Sequence, residues 1–272
     1  MINTLLLTWT ISPYQDVKNQ WYHSTSLDAD KRLQEYISTI IYYISNSDFT
    51  HIVFCENSGF IITQKNIDTI NSLCKFYNKQ FELLQFKWNH EELKNRWYNY
   101  WEWECIDYAF NNSKFLKKSS SRFKITWRYK YRNINDIIKE RENEDRYFYR
   151  FSFPFLYWCV SEIFKCTNKI YWEYLYNIKE LVDFKKPTWL RSYEMMIFYK
   201  LKPILKKLPP LKSLPISHLM KQKWWWTNRN LLFQLTFNKF FLKKHLLHRW
   251  WFIDRFYNLF WNFYCKVRLK IK

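Results

Sequence analysis

Hydrophobic and polar residues alternate in blocks along the first two thirds of the chain. Thr4 to Ile11 is a short apolar run without helical period, which predicts a buried strand. A polar stretch follows through Ser26. From Asp28 or Ser26, either of which can cap a helix, Leu33, Tyr36, Ile37, Ile40, Ile41 and Ile44 fall on one helical face. His51 to Cys55 is a second strand, ending in the loop Glu56-Asn57-Ser58-Gly59. A helix from Gln64 to Asn78 turns Ile67, Ile70, Leu73, Cys74 and Tyr77 inward, and Phe81 to Phe86 is a third strand. Beyond a loop containing Trp97 to Trp103, the pattern predicts a helix over Glu104 to Asn112 and a strand over Arg122 to Arg128. A charged helix (Ile134 to Asn143), a strand (Tyr147 to Phe153) and a helix (Asn168 to Val182, with Tyr171, Tyr174, Leu175 and Ile178 on one face) complete the series.

Strands alternating with helices of this length signal an α/β fold, a mainly parallel sheet with crossover helices, over residues 1–200. Pro187 and the prolines between Pro203 and Pro215 mark a change of character. Residues 201–272 mix Phe, Leu and Trp with Lys and Arg, and read as a basic, aromatic, helical C-terminal tail. No internal repeat is evident.

At 272 residues the chain can bury a large core without staples. Its six cysteines form no C-x-x-C pair, and the apolar Met1 to Ile11 lacks the basic flank of a signal peptide. Reduced, buried thiols and a cytoplasmic location are therefore expected. The formal charge of +20, concentrated after Lys200, points towards nucleic acid or an anionic membrane. An AT-rich genome, which favours Lys, Asn, Ile, Tyr and Phe codons, accounts for the same excess.

Glycine changes the picture most. Ordinary usage predicts roughly 19 in a chain this long; there is one, alongside 16 tryptophans. A turn-rich α/β protein almost without glycine is physically implausible. The tryptophans also stand in the wrong places: Trp97, Trp101 and Trp103 crowd a polar stretch, and Trp224, Trp225 and Trp226 are consecutive. Read with glycine, Arg96 to Glu104 becomes R-G-Y-N-Y-G-E-G-E and Lys223 to Asn228 becomes K-G-G-G-T-N, both ordinary loops. UGA codons meaning glycine in the source lineage and translated here as tryptophan would produce this pattern. A genuinely tryptophan-rich protein is the alternative.

Three constellations carry candidate chemistry. Glu56, Asn57, Ser58 and Gly59 end a strand, where ligands of open α/β sheets bind, and their carboxylate, amide and hydroxyl suit sugar or ribose hydroxyls. The loop with Trp97, Trp101 and Trp103, read with glycine, runs into a helix N-terminus that favours a diphosphate. Glu102 or Glu104 there is a base or a helix cap. With tryptophan retained, the same loop is an aromatic platform for sugars or bases. On the strand Phe123 to Tyr129, Lys124, Thr126, Trp127 (read as glycine) and Arg128 offer an ammonium, a hydroxyl, close backbone approach and a guanidinium to a phosphate.

With glycine for tryptophan, the pieces L-L-L-T-G-T-I (Leu5 to Ile11, containing Thr8), I-V-F-C-E-N-S-G (Ile52 to Gly59), G-Y-N-Y-G-E-G-E (Trp97 to Glu104) and F-K-I-T-G-R-Y (Phe123 to Tyr129) occur in order. Across residues 4 to 183 the chain then resembles glycosyltransferase-like proteins of bacterial capsule and lipopolysaccharide gene clusters. As written it departs from them at every motif glycine except Gly59. The resemblance implies transfer of a sugar from a nucleotide donor to a surface polysaccharide or lipid-linked glycan. It does not fix the sugar.

Asp28-Ala29-Asp30 matches a metal-binding D-x-D in letters but opens a helix, and reads as a cap. A divalent metal stays open, and no cofactor is assigned. Glu162 and Glu194 are further acids for acceptor activation. The six histidines make no metal-ligand spacing. No run reaches 18 apolar residues, so nothing is expected to span a bilayer. The tail, with Phe240, Phe241, Leu242, Leu246 and Leu247 beside Lys239, Lys243, Lys244 and Arg249, can lie on the inner face of the membrane or pack on the core. The rival reading is a non-catalytic nucleic-acid-binding or membrane-peripheral protein. Nucleic acid is the weaker partner, because the aromatics are not interleaved with the cations.

Overall fold

A computed structural model describes residues 2–12, 28–88, 98–126, 129–143, 145–153, 156–181, 197, 200 and 201. These belong to the first of two units into which the chain divides, Met1–His218; the second, Leu219–Lys272, with the basic tail, lies outside them.

The elements follow in order as β1 (Asn3–Trp9), α1 (Ala29–Asn46), β2 (His51–Glu56), α2 (Gln64–Phe76), β3 (Gln80–Gln85), α3 (Tyr98–Asn112), α4 (Lys114–Lys118), β4 (Ser121–Thr126), α5 (Ile134–Glu140), β5 (Arg146–Phe153) and β6 (Leu156–Cys166). Six strands form one sheet in the order β3-β2-β1-β4-β6-β5. The first four are parallel, and β6 runs antiparallel to both β4 and β5. The expected mainly parallel α/β sheet is therefore present.

Residues alternate across this sheet. Leu5, Leu7, Trp9, Ile52, Phe54, Phe123 and Ile125 pack with Leu33, Tyr36, Ile40, Tyr43 and Ile44 of α1, Ile70 and Cys74 of α2, and Ile134, Ile137 and Ile138 of α5. The intervening Thr8, Cys55 and Lys124 face α3, whose Trp103 stacks on Phe164 at 5.9 Å. Because both faces are covered, β1 is buried from Thr4 to Trp9, which explains its uninterrupted apolar run.

Local chemistry fixes the helix ends. Asp28 accepts hydrogen bonds from the amides of Asp30 (2.9 Å) and Lys31 (3.1 Å), as the cap reading requires. The second helix stops two residues short of the expected Asn78. Asn78 is left-handed (φ 53°), and the Lys79 amide returns to the Cys74 carbonyl at 2.7 Å, a Schellman closure built on asparagine.

Three expectations are corrected. Helix α3 starts at Tyr98 rather than Glu104, so the stretch read as a loop is its first two turns. Its Trp101 and Trp103 are buried, and burial of two large rings favours the helix there. Residues 156–166 form a strand the pattern did not predict, pairing with β5 as a hairpin. The single helix expected from Asn168 to Val182 is instead a short helical turn, a wider turn over Tyr171–Leu175, and a tight turn over Ile178–Leu181. Asn177, left-handed at φ 55°, prevents one continuous helix.

Candidate functional site

The order β3-β2-β1-β4 reverses direction between β1 and β4, and the crevice beyond the carboxyl ends of such strands is where open α/β sheets bind ligands. Three of the residues singled out in the sequence lie at that edge. Thr8 lies opposite Thr126, and Glu56 lies between Trp9 and Gln85.

The Glu56-Asn57-Ser58-Gly59 loop is tied down on three sides. Glu56 Oε1 accepts from the amides of Ile11 (3.1 Å) and Ser58 (2.8 Å) and from the Ser58 hydroxyl. Asn57 accepts from the Thr10 hydroxyl at 2.8 Å and donates through Nδ2 to the Trp101 carbonyl at 3.3 Å, linking β2 to α3. Ser58 Oγ accepts from the Ser12 amide. Gly59 sits at φ +73°, which favours glycine, and a Cβ there would press on Lys87 Cγ at 3.2 Å. Glu56 is fully buried, its Oε2 makes no close hydrogen bond, and burial raises its pKa against the opposing hydrogen bonds from Ser58, Ile11 and the Phe60 backbone. Thr8 Oγ1 is likewise buried without a partner.

On the α3 face, Glu102, Lys124 and Thr126 close a triangle. Lys124 Nζ lies 2.5 Å from Glu102 Oε1 and donates to Thr126 Oγ1 at 2.7 Å, and the Thr126 hydroxyl donates to the same carboxylate oxygen at 2.7 Å. Lys124 is 1% exposed and Glu102 20%. The ammonium read from the sequence as a phosphate contact is thus engaged beneath the surface, and the reachable member of the group is the carboxylate. Helix α3 brings Glu102 across the sheet because Trp101 packs on Trp88 (4.4 Å) and Trp103 on Phe164. Glu104, one turn-half further on, is half-buried.

The described tryptophans at this edge do not form an open platform. Trp9, Trp88, Trp101 and Trp103 are all at most 4% exposed, and none has a positive φ. The indole N–H groups of Trp9 and Trp101 are buried with no acceptor. Trp97, Trp127 and Arg128 lie outside the described residues, as does Glu194. Glu162 falls in β6 next to Ile163, which pairs with Ile125, so its backbone is level with the carboxyl end of β4.

Sequence reasoning missed the cation at this edge. Arg32, in the first turn of α1 and 4% exposed, donates through Nε (3.1 Å) and Nη2 (2.6 Å) to the Thr10 carbonyl, which the Tyr36 hydroxyl also reaches at 2.8 Å. The only available signal was an arginine interrupting the buried face just before Leu33. Among the described residues, no group of three or more His, Cys, Asp or Glu side chains is placed to hold a metal, and no helix is long and apolar enough to cross a membrane.

At this edge Glu56 and Asn57 are fully buried and held by the protein's own hydrogen bonds, and the partly open carboxylate is that of Glu102. No family model matches the chain, and no curated protein matches it.

Proposed function

We propose that the protein is a glycosyltransferase that moves a sugar from a nucleotide donor to a surface polysaccharide or lipid-linked glycan. The observation that carries this reading is the gathering of Glu102, Lys124, Thr126, Glu56, Asn57 and Thr8 at the carboxyl edge of a sheet whose strand order reverses between β1 and β4. In this reading Glu102 accepts the proton of the attacking acceptor hydroxyl. The new glycosidic bond forms as the bond from the anomeric carbon to the diphosphate oxygen breaks, and the electron pair leaves with the nucleoside diphosphate. Lys124 and Thr126 orient the carboxylate, while the buried Glu56 and Asn57 fix the loop whose Ser58 meets donor or acceptor hydroxyls. Glu104 and Glu162 are the alternative bases. Arg128 and the segment around Trp97 and Trp127 complete the diphosphate grip. A divalent metal remains outside the assignment, and the tail places the enzyme against the inner face of an anionic membrane.

The test is sugar-nucleotide turnover on the chain as written and on the chain with glycine at the tryptophan positions. Glu102→Gln should lower kcat by about 10²–10⁴ while leaving donor affinity within a few-fold. Unchanged turnover in Glu102→Gln removes the base assignment, and absence of turnover with every common sugar nucleotide removes the transferase.

The nucleic-acid alternative rests on the +20 charge. It draws no support from the described tryptophans at this edge, whose rings are buried rather than available for stacking.

A further inference from the structure

Trp9 is the last residue of β1, at the point where a doubly wound sheet ordinarily brings its ligand closest to the backbone. Its indole is sandwiched: stacked on Tyr36 with centroids 4.2 Å apart and planes 23° from parallel, and met by the edge of Phe54 at 4.1 Å. The ring is 2% exposed, yet its N–H has no acceptor, an unusual state for a buried polar group. Beside it across the β1–β2 ladder, on the same face, stands Glu56, fully buried and with Oε2 unpartnered. Two unmatched polar atoms at one strand end, in a chain with one glycine and 16 tryptophans, mark a ring occupying space that another group should fill.

We propose that the slot filled by the Trp9 indole is a nucleoside site, opened when position 9 is glycine. The base stacks on Tyr36, and a base or ribose donor hydrogen-bonds to Glu56 Oε2. A slot walled by Tyr36 and Phe54 and shaped around a planar bicyclic ring suits a nucleobase, since stacking needs only a π-face. Its unpartnered carboxylate oxygen supplies the polar contact an apolar cavity would lack. The inference rests on the sugar-nucleotide reading and names the part of the donor that this slot takes.

The experiment uses the full chain with Trp9→Gly and follows its thermal midpoint with indole, uridine or adenosine. Removing the ring should lower the midpoint. Indole should restore part of the loss, and at least one nucleoside, at a hundredfold excess over its Kd, should raise the midpoint by about 5–10 °C. The chain with Trp9 intact should respond to neither. Adding Tyr36→Leu to the glycine variant should abolish most of the nucleoside shift. A midpoint that indole raises but neither nucleoside moves makes the slot a plain cavity and overturns the proposal. A Trp9→Gly chain that stays unfolded with every ligand, while Trp9→Phe folds, makes the indole part of the core and overturns it equally. Nucleoside binding without sugar-nucleotide turnover leaves this site standing and counts against the transferase.

Discussion

Replacing Lys124 with methionine separates structure from chemistry at the site. Lys124 is 1% exposed, 2.5 Å from Glu102 Oε1, and its ammonium lies 5.9 Å from the Phe164 ring. Methionine keeps the stem and packs on that ring, so the change removes a charge and two hydrogen bonds more than it removes volume. Breaking a fully buried ion pair from one side costs about 3–5 kcal/mol. Here Glu102 retains 20% exposure and the Thr126 hydroxyl, so solvent screening puts the expected loss at the low end, about 3 kcal/mol. For a domain of this size that is about 6–12 °C in Tm. The double variant Lys124→Met/Glu102→Gln leaves no unpaired charge, keeps an oxygen for Thr126, and should lie within about 1 kcal/mol of the parent. Urea unfolding of the four proteins at constant m gives the cycle. A Lys124→Met loss below about 1 kcal/mol, or a double variant no more stable than the single, would refute the claim that the pair is a coupled buried unit.

Two further expectations follow from named contacts. Asp28→Ala deletes the acceptor of two first-turn amides of α1 and should cost about 1 kcal/mol in urea unfolding. The metal dependence of any activity should not change, whereas a D-x-D metal role would alter it. Glu56→Gln keeps an oxygen for the Ile11 and Ser58 donors but removes the buried charge. Burial raises the Glu56 pKa in the folded protein, so folding binds a proton and the parent loses stability as pH rises from the unfolded carboxylate range through the folded pKa. Glu56→Gln should therefore gain on the parent across that window and converge with it below about pH 4. Equal midpoints at all pH values would contradict this assignment.

What the residues disclosed in advance divides along physical lines. β1 and β2 were legible because both faces are buried, so Leu5-Leu6-Leu7 and Ile52-Val53-Phe54 show no polar interruption. Helix α1 was legible because it has one buried stripe and a cap. Strand β6 was hidden: Ser161, Glu162 and Lys165 break its apolar run, and Lys165 donates to the Arg141 and Glu142 carbonyls, contacts no local pattern reveals. The start of α3 was obscured by polar residues among the tryptophans, whose burial depends on Trp88 before the helix and on Phe164 far along the chain. At the site, Glu56, Asn57 and Ser58 were foreseeable because they end a clear strand. The bond between Glu102 and Lys124 was not, since 22 residues and a helix crossover separate them. Arg32 was masked for the same reason: its partner, the Thr10 carbonyl, lies 22 residues earlier.

The position of β1 in the sheet also sets a schedule for synthesis. The strand made first lies between β2, complete at residue 56, and β4, complete only at residue 126. At roughly 5–20 residues per second, 70 residues of translation leave one side of Asn3–Trp9 without its strand partner for about 4–14 s. During that interval a strand with an apolar centre presents an open ladder edge to any other nascent chain, the arrangement from which aggregation starts. The nascent chain therefore needs holding, by ribosome-proximal chaperones or by early docking of α1 and α2, until Ser121–Thr126 arrives to close the centre of the sheet.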